Sequence, residues 1–378
     1  MVASISARGS ARAALAYYGH LQQDGYYTAE SEAPGRWAGR GAERLSLEGP
    51  VTRSEFEAAL EGLDPKTGER LAAGGGRAHS HAAGWDMTFS APKSVSVLWA
   101  LSDGPERAAI EEAHRRAVLT ATGHLEQTAA WARRGKGGAL RERTAGLLMA
   151  QFDHHTSREL DPQLHTHSFV FNLAPRRDGT WGAIVSRDLY KAQKQAGAVY
   201  RRELAAGLER LGHRLERQAH GFRIAAVPRR IERAFSKRRQ VIEEAARTHG
   251  YDTAKGMELA TLRTRRAKQD SKLNDLYRTW QAEAKALGFD LRQAQRESSR
   301  ESVSVPERNA VRPTHVTGNM KTVSRTGVAP SPGHAAIRQN ATRIGRQLGQ
   351  ALQALKQSSG MPGLKPRLRQ KDRDHERE

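Results

Sequence analysis

His165 and His167 lie two residues apart in the run Gln163-Leu164-His165-Thr166-His167-Ser168-Phe169-Val170-Phe171-Asn172. On a strand, residues i and i+2 point to the same side, so both imidazoles share a face. Eleven residues before His165 the apolar run that begins at Gly146 ends in His154, and the polar stretch between contains Asp161-Pro162. The pattern predicts a hairpin presenting three imidazoles together. Three neutral imidazoles suit a divalent transition metal with open coordination positions for Lewis-acid chemistry, their rings oriented by neighbouring carboxylates. The competing reading is a surface hairpin with solvated histidines, and the third histidine weighs against it. His79-Ser80-His81 has the same spacing but follows Gly74-Gly75-Gly76-Arg77, so it reads as loop.

Four of the eight tyrosines form two adjacent pairs, Tyr17-Tyr18 and Tyr26-Tyr27, flanking Gly19-His20-Leu21-Gln22-Gln23-Asp24-Gly25. A tyrosine hydroxyl is a weak nucleophile, but beside a metal-held phosphate and a base it forms a covalent phosphotyrosine. The alternative is that aromatic pairs anchor a helix on the core, and adjacent residues cannot share a helix face. Metal plus nucleophilic tyrosine points to strand transfer on a nucleic acid. The charge agrees: 62 Lys and Arg stand against 41 Asp and Glu, a net +21 that favours a polyphosphate partner with salt-sensitive affinity.

The elements positioning these residues follow from periodicity. Strands are expected at Trp85 to Phe89, Val95 to Ala100, Gly146 to His154, Leu164 to Leu173 and Trp181 to Ile184. Helices are expected at Pro105 to Ala132 and Leu189 to Leu211, a short basic strand pair near Arg214 to Val227, and charged helices from Pro228 to about Ala286.

Four stretches together resemble the MobF-class conjugative relaxases, the TrwC/TraI type within the HUH endonuclease superfamily. They are the paired tyrosines; Arg36-Trp37-Ala38-Gly39-Arg40-Gly41-Ala42-Glu43; Asp86-Met87-Thr88-Phe89-Ser90-Ala91-Pro92-Lys93-Ser94-Val95-Ser96; and His154 through Asn172. The order and approximate spacing agree with the family over roughly residues 1–298. The resemblance implies that His154, His165 and His167 hold the metal, Mg or Mn, and that Tyr17 cleaves the nick site. It makes Tyr26 the candidate for the second transesterification, with Tyr18 and Tyr27 in reserve. Asp86 would accept the tyrosine proton or fix a ligating histidine. Lys93 and Arg158 fit phosphate contacts or the core framework. Arg36, Lys237, Arg238 and Arg265 are expected on DNA, with Trp37 and Trp280 holding unstacked bases.

The implied fold is α+β: a central antiparallel sheet of about five strands, palm-like, with helices on one face and C-terminal helical fingers at about 228–298. Residues 299–378, with fifteen basic and six acidic residues, are expected to be a mostly disordered basic tail. No P-loop for ATP occurs, so no helicase domain and no ATP use are expected. Expected partners are origin-of-transfer DNA, single-stranded or hairpin, a helicase in trans, a coupling protein and the type IV secretion machinery. The chain would act as a monomer on DNA in the bacterial cytoplasm. The absence of cysteine excludes disulfide scaffolds, cysteine-zinc sites and thiol nucleophiles. No apolar run reaches the roughly 18 residues of a membrane span. Two rival functions are a rolling-circle replication initiator of the same superfamily and a catalytically inactive origin-binding protein.

Overall fold

The histidine hairpin forms the middle of a five-stranded antiparallel sheet in the computed structural model, which describes residues 3–18, 34–71, 82–265 and 271–303. In chain order the sheet strands are β1 (Ala3–Arg8), β2 (Arg36–Ala38) and β3 (Gly84–Ser90), then, after a separate ribbon of β4 (Trp131–Arg134) and β5 (Leu140–Arg143), β6 (Met149–Thr156) and β7 (Pro162–Phe171). Their spatial order is β1-β3-β7-β6-β2. β7 is buried along nearly its whole length, which is why its sequence lacks the polar alternation of a half-exposed strand.

Register fixes which residues share a face. His154 pairs with His165, Phe152 with His167, and Thr88 with His167 on the other side, so these side chains lie on one face. Helices α1 (Ala11–Tyr18) and α3 (Arg53–Glu61) cover that face; α2 (Arg40–Arg44) lies between them in sequence. Ala14 and Phe56 join the core of Phe152, Phe169 and Phe171, and the Phe56 ring meets those three edge-on at 5.6, 5.5 and 5.2 Å. The capping box at Thr52 and Glu55 starts α3.

The opposite face carries Trp85, Met87, Phe89, Leu164 and Val170 and packs on α4 (Lys93–Leu101), α5 (Gly104–Ala129) and α6 (Ser186–Arg210). Asp103 caps α5 by accepting from the Glu106 amide, with Pro105 in the first turn. The short pair β8 (Ala174–Pro175) and β9 (Trp181–Gly182) and the hairpin β10 (Leu215–Gln218) and β11 (Gly221–Ile224) stand outside the main sheet. Five helices follow: α7 (Arg229–Ala234), α8 (Lys237–Thr248), α9 (Ala254–Arg263), α10 (Leu273–Ala286) and α11 (Leu291–Val303). Among the described residues no helix is long and apolar enough to cross a membrane.

Three expectations need correction. Val95 to Ala100 is helix, not strand: α4 is buried on every side from Ser94 to Ala100, and an apolar run of that length does not distinguish the two. Helices cover both faces of the sheet rather than one. The edge strands β1 and β2 supply the sheet positions instead, while residues 181–184 pair only briefly, outside it. Helix α11 ends at Val303. The remainder of the expected tail lies outside the described residues, as does His79-Ser80-His81.

Candidate metal centre

The rings of His154, His165 and His167 converge. Their centroids are 5.2 Å apart for His154 and His165, 4.9 Å for His154 and His167, and 5.2 Å for His165 and His167. One ligand nitrogen from each lies within 4.8 Å of the others. The fit to a divalent metal rests on which ring nitrogens are already engaged. His165 Nδ1–H donates to the Gln163 carbonyl at 2.8 Å, and His167 Nδ1–H donates to the Asp86 carboxylate, 2.9 and 3.0 Å from its two oxygens. Both rings therefore keep Nε2 as the ligand atom, with the tautomer set by their acceptors. Burial, with His167 alongside, pushes the His165 imidazole down to about 3, so it stays neutral and able to bind a cation.

Asp86 is itself held. It is buried on β3, pairs with Arg8 of β1 at 3.2 Å and accepts from the Thr88 hydroxyl at 3.3 Å. Burial raises its carboxyl, but the partners His167 and Arg8 outweigh that and hold it below the ordinary carboxylate range. The Asp86 carboxylate is thus held between His167 and Arg8. Tyr17 and Tyr18 are the last residues of α1, the helix on the triad's face of the sheet. Tyr26 and Tyr27 lie outside the described residues.

Several residues expected on DNA have partners within the protein. Arg36 forms an ion pair with Asp153 at 2.6 Å. Trp37 packs against the core beside Phe171, their centroids 5.8 Å apart. Lys93 is buried and donates to the Pro162 carbonyl at 2.7 Å; burial pushes its ammonium down to about 8, against Asp161 and Glu232. Arg238 donates to the carbonyls of Thr264 and Thr261 at 2.7 and 2.9 Å, and Lys237 pairs with Glu283 at 2.8 Å. Trp280 is 1% exposed and donates to the Leu160 carbonyl at 2.8 Å. Arg158 is half-buried and Arg265 exposed. Long cationic and aromatic side chains read alike in sequence whether they face a ligand or brace a turn.

Two of these contacts, Lys93 to Pro162 and Trp280 to Leu160, meet the β6–β7 turn and the start of the ligand strand. Ala91 N–H donates to Leu164 O at 2.9 Å, and Leu164 N–H donates to Ser96 Oγ at 3.1 Å. Asp161, buried in the turn, accepts from the Arg238 amide at 3.3 Å. The stretch Ala91 to Ser96 thus clamps the strand that carries His165. The glycine-rich stretch after Trp37 has a similar explanation: Gly39 has φ +83°, and a Cβ there would lie 2.4 Å from the Leu147 carbonyl oxygen.

The β4–β5 ribbon was not anticipated. Residues 131–143 carry five basic residues and one acidic residue, and all five basic side chains are exposed. Arg141 stacks over Trp131 at 4.0 Å, and the ribbon turns through glycines with positive φ at 135, 137 and 138. Its only sequence signal was the cluster Arg133-Arg134-Gly135-Lys136.

The chain matches the family model described as TrwC relaxase over residues 11–287. The multifunctional conjugation protein TraI of Escherichia coli K12 is 37% identical over 303 residues, covering 76% of this chain and 16% of TraI. A second E. coli TraI is 37% identical over 301 residues, again 16% of its length, so this chain spans a small part of those relatives. Among solved structures, the conjugative relaxase TrwC in complex with oriT DNA, copper-bound, superposes with a TM-score of 0.68 at 34% identity, covering 76% of this chain and 99% of that one. TrwC complexed with a 27-mer DNA comprising the recognition hairpin and the cleavage site gives 0.66 at 34% identity, with the same coverage.

Proposed function

The chain belongs to the TrwC relaxase family, and from that premise we propose that it is a conjugative DNA relaxase, nicking and rejoining one strand of origin-of-transfer DNA at a specific site. The observation that carries this reading is the three-histidine cluster on the sheet face covered by the helix that ends in Tyr17-Tyr18. When bound, the divalent ion polarises the scissile phosphate and lowers the cost of charge building on its oxygens. The ion is Mg or Mn, although three imidazole donors are better suited to a later first-row transition ion than to these oxygen-preferring cations.

The hydroxyl of Tyr17 attacks the phosphorus in line. As the new O–P bond forms the phenol proton passes to solvent, and the O3′–P bond breaks with O3′ taking up a proton from water, leaving a 3′-hydroxyl and a 5′-phosphotyrosyl link. That link retains the phosphodiester energy, so rejoining by attack of a 3′-hydroxyl needs no ATP. Asp86 keeps His167 in its ligating tautomer, and Arg8 keeps Asp86 ionised. Tyr26 serves the closing transesterification, with Tyr18 and Tyr27 as substitutes.

Residues 1–298 form the catalytic part, in which α7 to α10 brace the ligand hairpin beside the DNA, and 299–378 a basic tail. The β4–β5 ribbon, of a size that enters a duplex major groove, takes the double-stranded arm of a hairpin substrate. The protein works as a monomer in the bacterial cytoplasm, with unwinding supplied by a helicase in trans and delivery by a coupling protein and type IV secretion machinery.

The test is incubation with labelled single-stranded oligonucleotides tiling the cognate origin, with Mn or Mg, followed by denaturing electrophoresis. An SDS-resistant adduct lost in Tyr17→Phe and His165→Ala is expected. Tight, salt-sensitive binding without any adduct would instead mark an inactive origin-binding protein.

A further inference from the structure

Behind the sheet, on the face away from the triad, five side chains from five elements form one hydrogen-bonded chain. Tyr200 Oη of α6 lies 2.8 Å from His114 Nδ1 of α5, and His114 Nε2 lies 2.9 Å from Thr166 Oγ1 of β7. Thr166 Oγ1 donates to Asp153 Oδ1 of β6 at 2.5 Å, and Arg36 of β2 donates to both Asp153 oxygens at 2.6 and 3.3 Å. Tyr200, His114, Thr166 and Asp153 are buried.

With His114 neutral in its buried site, the proton directions follow from its partners. The carboxylate of Asp153, paired with Arg36, only accepts, so the single hydroxyl proton of Thr166 goes to it. Thr166 must then accept from His114 Nε2–H, and His114 Nδ1 accepts from the Tyr200 hydroxyl. A buried chain with every member satisfied is rigid, and loss of one hydroxyl leaves its neighbour buried without a partner.

The chain is interleaved with the ligands. Asp153 precedes His154, Thr166 sits between His165 and His167, and Asp153 and Thr166 are direct cross-strand partners. Alternation along each strand sends the ligands forward and these two residues back. The β6–β7 register breaks between His154 and Thr156, so the ladder does not continue regularly past the ligand pair. A slip of β6 against β7 would carry His154 away from the other two imidazoles.

We propose that Arg36, Asp153, Thr166, His114 and Tyr200 are positioning residues for the metal, locking β6 and β7 in the register at which the three histidines converge. Arg36 acts through Asp153, not by contact with DNA. This rests on the reading of the triad as a divalent-metal site.

The experiment titrates the full chain with Co2+, following the visible absorption bands of the complex and its Kd, while thermal unfolding of the metal-free proteins records the cost to the fold. Thr166→Val keeps a β-branched shape but removes the hydroxyl; it is expected to weaken Co2+ binding about tenfold and alter the bands. Thr166→Ser restores both, and Tyr200→Phe, at the far end, gives a smaller shift in the same direction. If Thr166→Val does not fold, Tyr200→Phe against wild type decides the matter alone. Variants that melt earlier yet bind Co2+ with wild-type affinity and bands overturn the proposal. Failure of wild type to bind Co2+ overturns the metal reading itself, and with it this one.

Discussion

His167 and Asp86 stand on adjacent strands, 81 residues apart in sequence, with the imidazole Nδ1–H shared between both carboxylate oxygens at 2.9 and 3.0 Å. The pair leaves Nε2 of His167 for the metal. Arg8 on the next strand balances the carboxylate's charge at 3.2 Å. Groups that hold a ligating histidine in this way set both its tautomer and its basicity.

Replacing Asp86 by Asn keeps the shape but removes the charge that favours Nδ1–H. Metal affinity of Asp86→Asn should fall by about 10 to 100-fold. Adduct formation should recover in part at saturating Mn, since Tyr17 is untouched. Calorimetric Mn titration alongside the oligonucleotide assay checks both halves.

His114 gives the fold a pH dependence of defined sign. Burial pushes its imidazole down to about 4, opposed by Asp153 and helped by Arg36, His155 and Arg115. The unfolded chain takes up this proton near the ordinary value of about 6.5 while the fold refuses it. Stability is therefore full above about 6.5 and declines as pH falls toward 4, by on the order of 3 kcal/mol from this group. Urea unfolding at pH 7 and pH 5 should show a smaller drop for His114→Gln than for wild type. His165, depressed by burial to about 3, adds to the same loss in metal-free protein.

Gly39 joins β2 to α2 at φ +83°, where a Cβ would meet the Leu147 carbonyl oxygen at 2.4 Å. Gly39→Ala combines left-handed strain with that clash. It should cost about 2 kcal/mol or more, read as a lower thermal midpoint in the metal-free protein.

The role proposed for the β4–β5 ribbon, holding a duplex arm, is testable apart from single-strand binding. Removing the charges of Arg133 and Lys136 should weaken binding to a hairpin oligonucleotide and flatten the slope of log K against log salt by about 1 per lost phosphate contact. Adduct formation on a fully single-stranded substrate should be unchanged. Fluorescence anisotropy over a salt series measures the slope directly.

The parts of this protein visible in the linear chain are those whose signal is local. His165 and His167 share a face because strand period is a two-residue property, and helices α5 and α6 show their repeats over many turns. The charge of +21 needs no fold to be read. Where burial is complete, local signals disappear: Val95 to Ala100 is buried all round as a helix and mimics a strand. Short edge strands such as Arg36–Ala38 carry too few residues for a period.

Side-chain partners were decided only by the tertiary structure. Arg36 and Asp153 are 117 positions apart, Trp280 and Leu160 are 120, and nothing local tells a cation that braces a buried carboxylate from one that meets a phosphate. Hence Arg36 and Trp280 read as DNA contacts in the sequence, and Lys93 as a phosphate contact or part of the core framework, while the fold gives each a partner within the protein. The residue types at the centre follow from the sequence alone, because strand pitch and imidazole chemistry are local. Which charges hold that centre, and which remain for a ligand, follow from the packing of strands and helices distant in the chain, because desolvation and ion pairing depend on what the fold brings within a few ångströms.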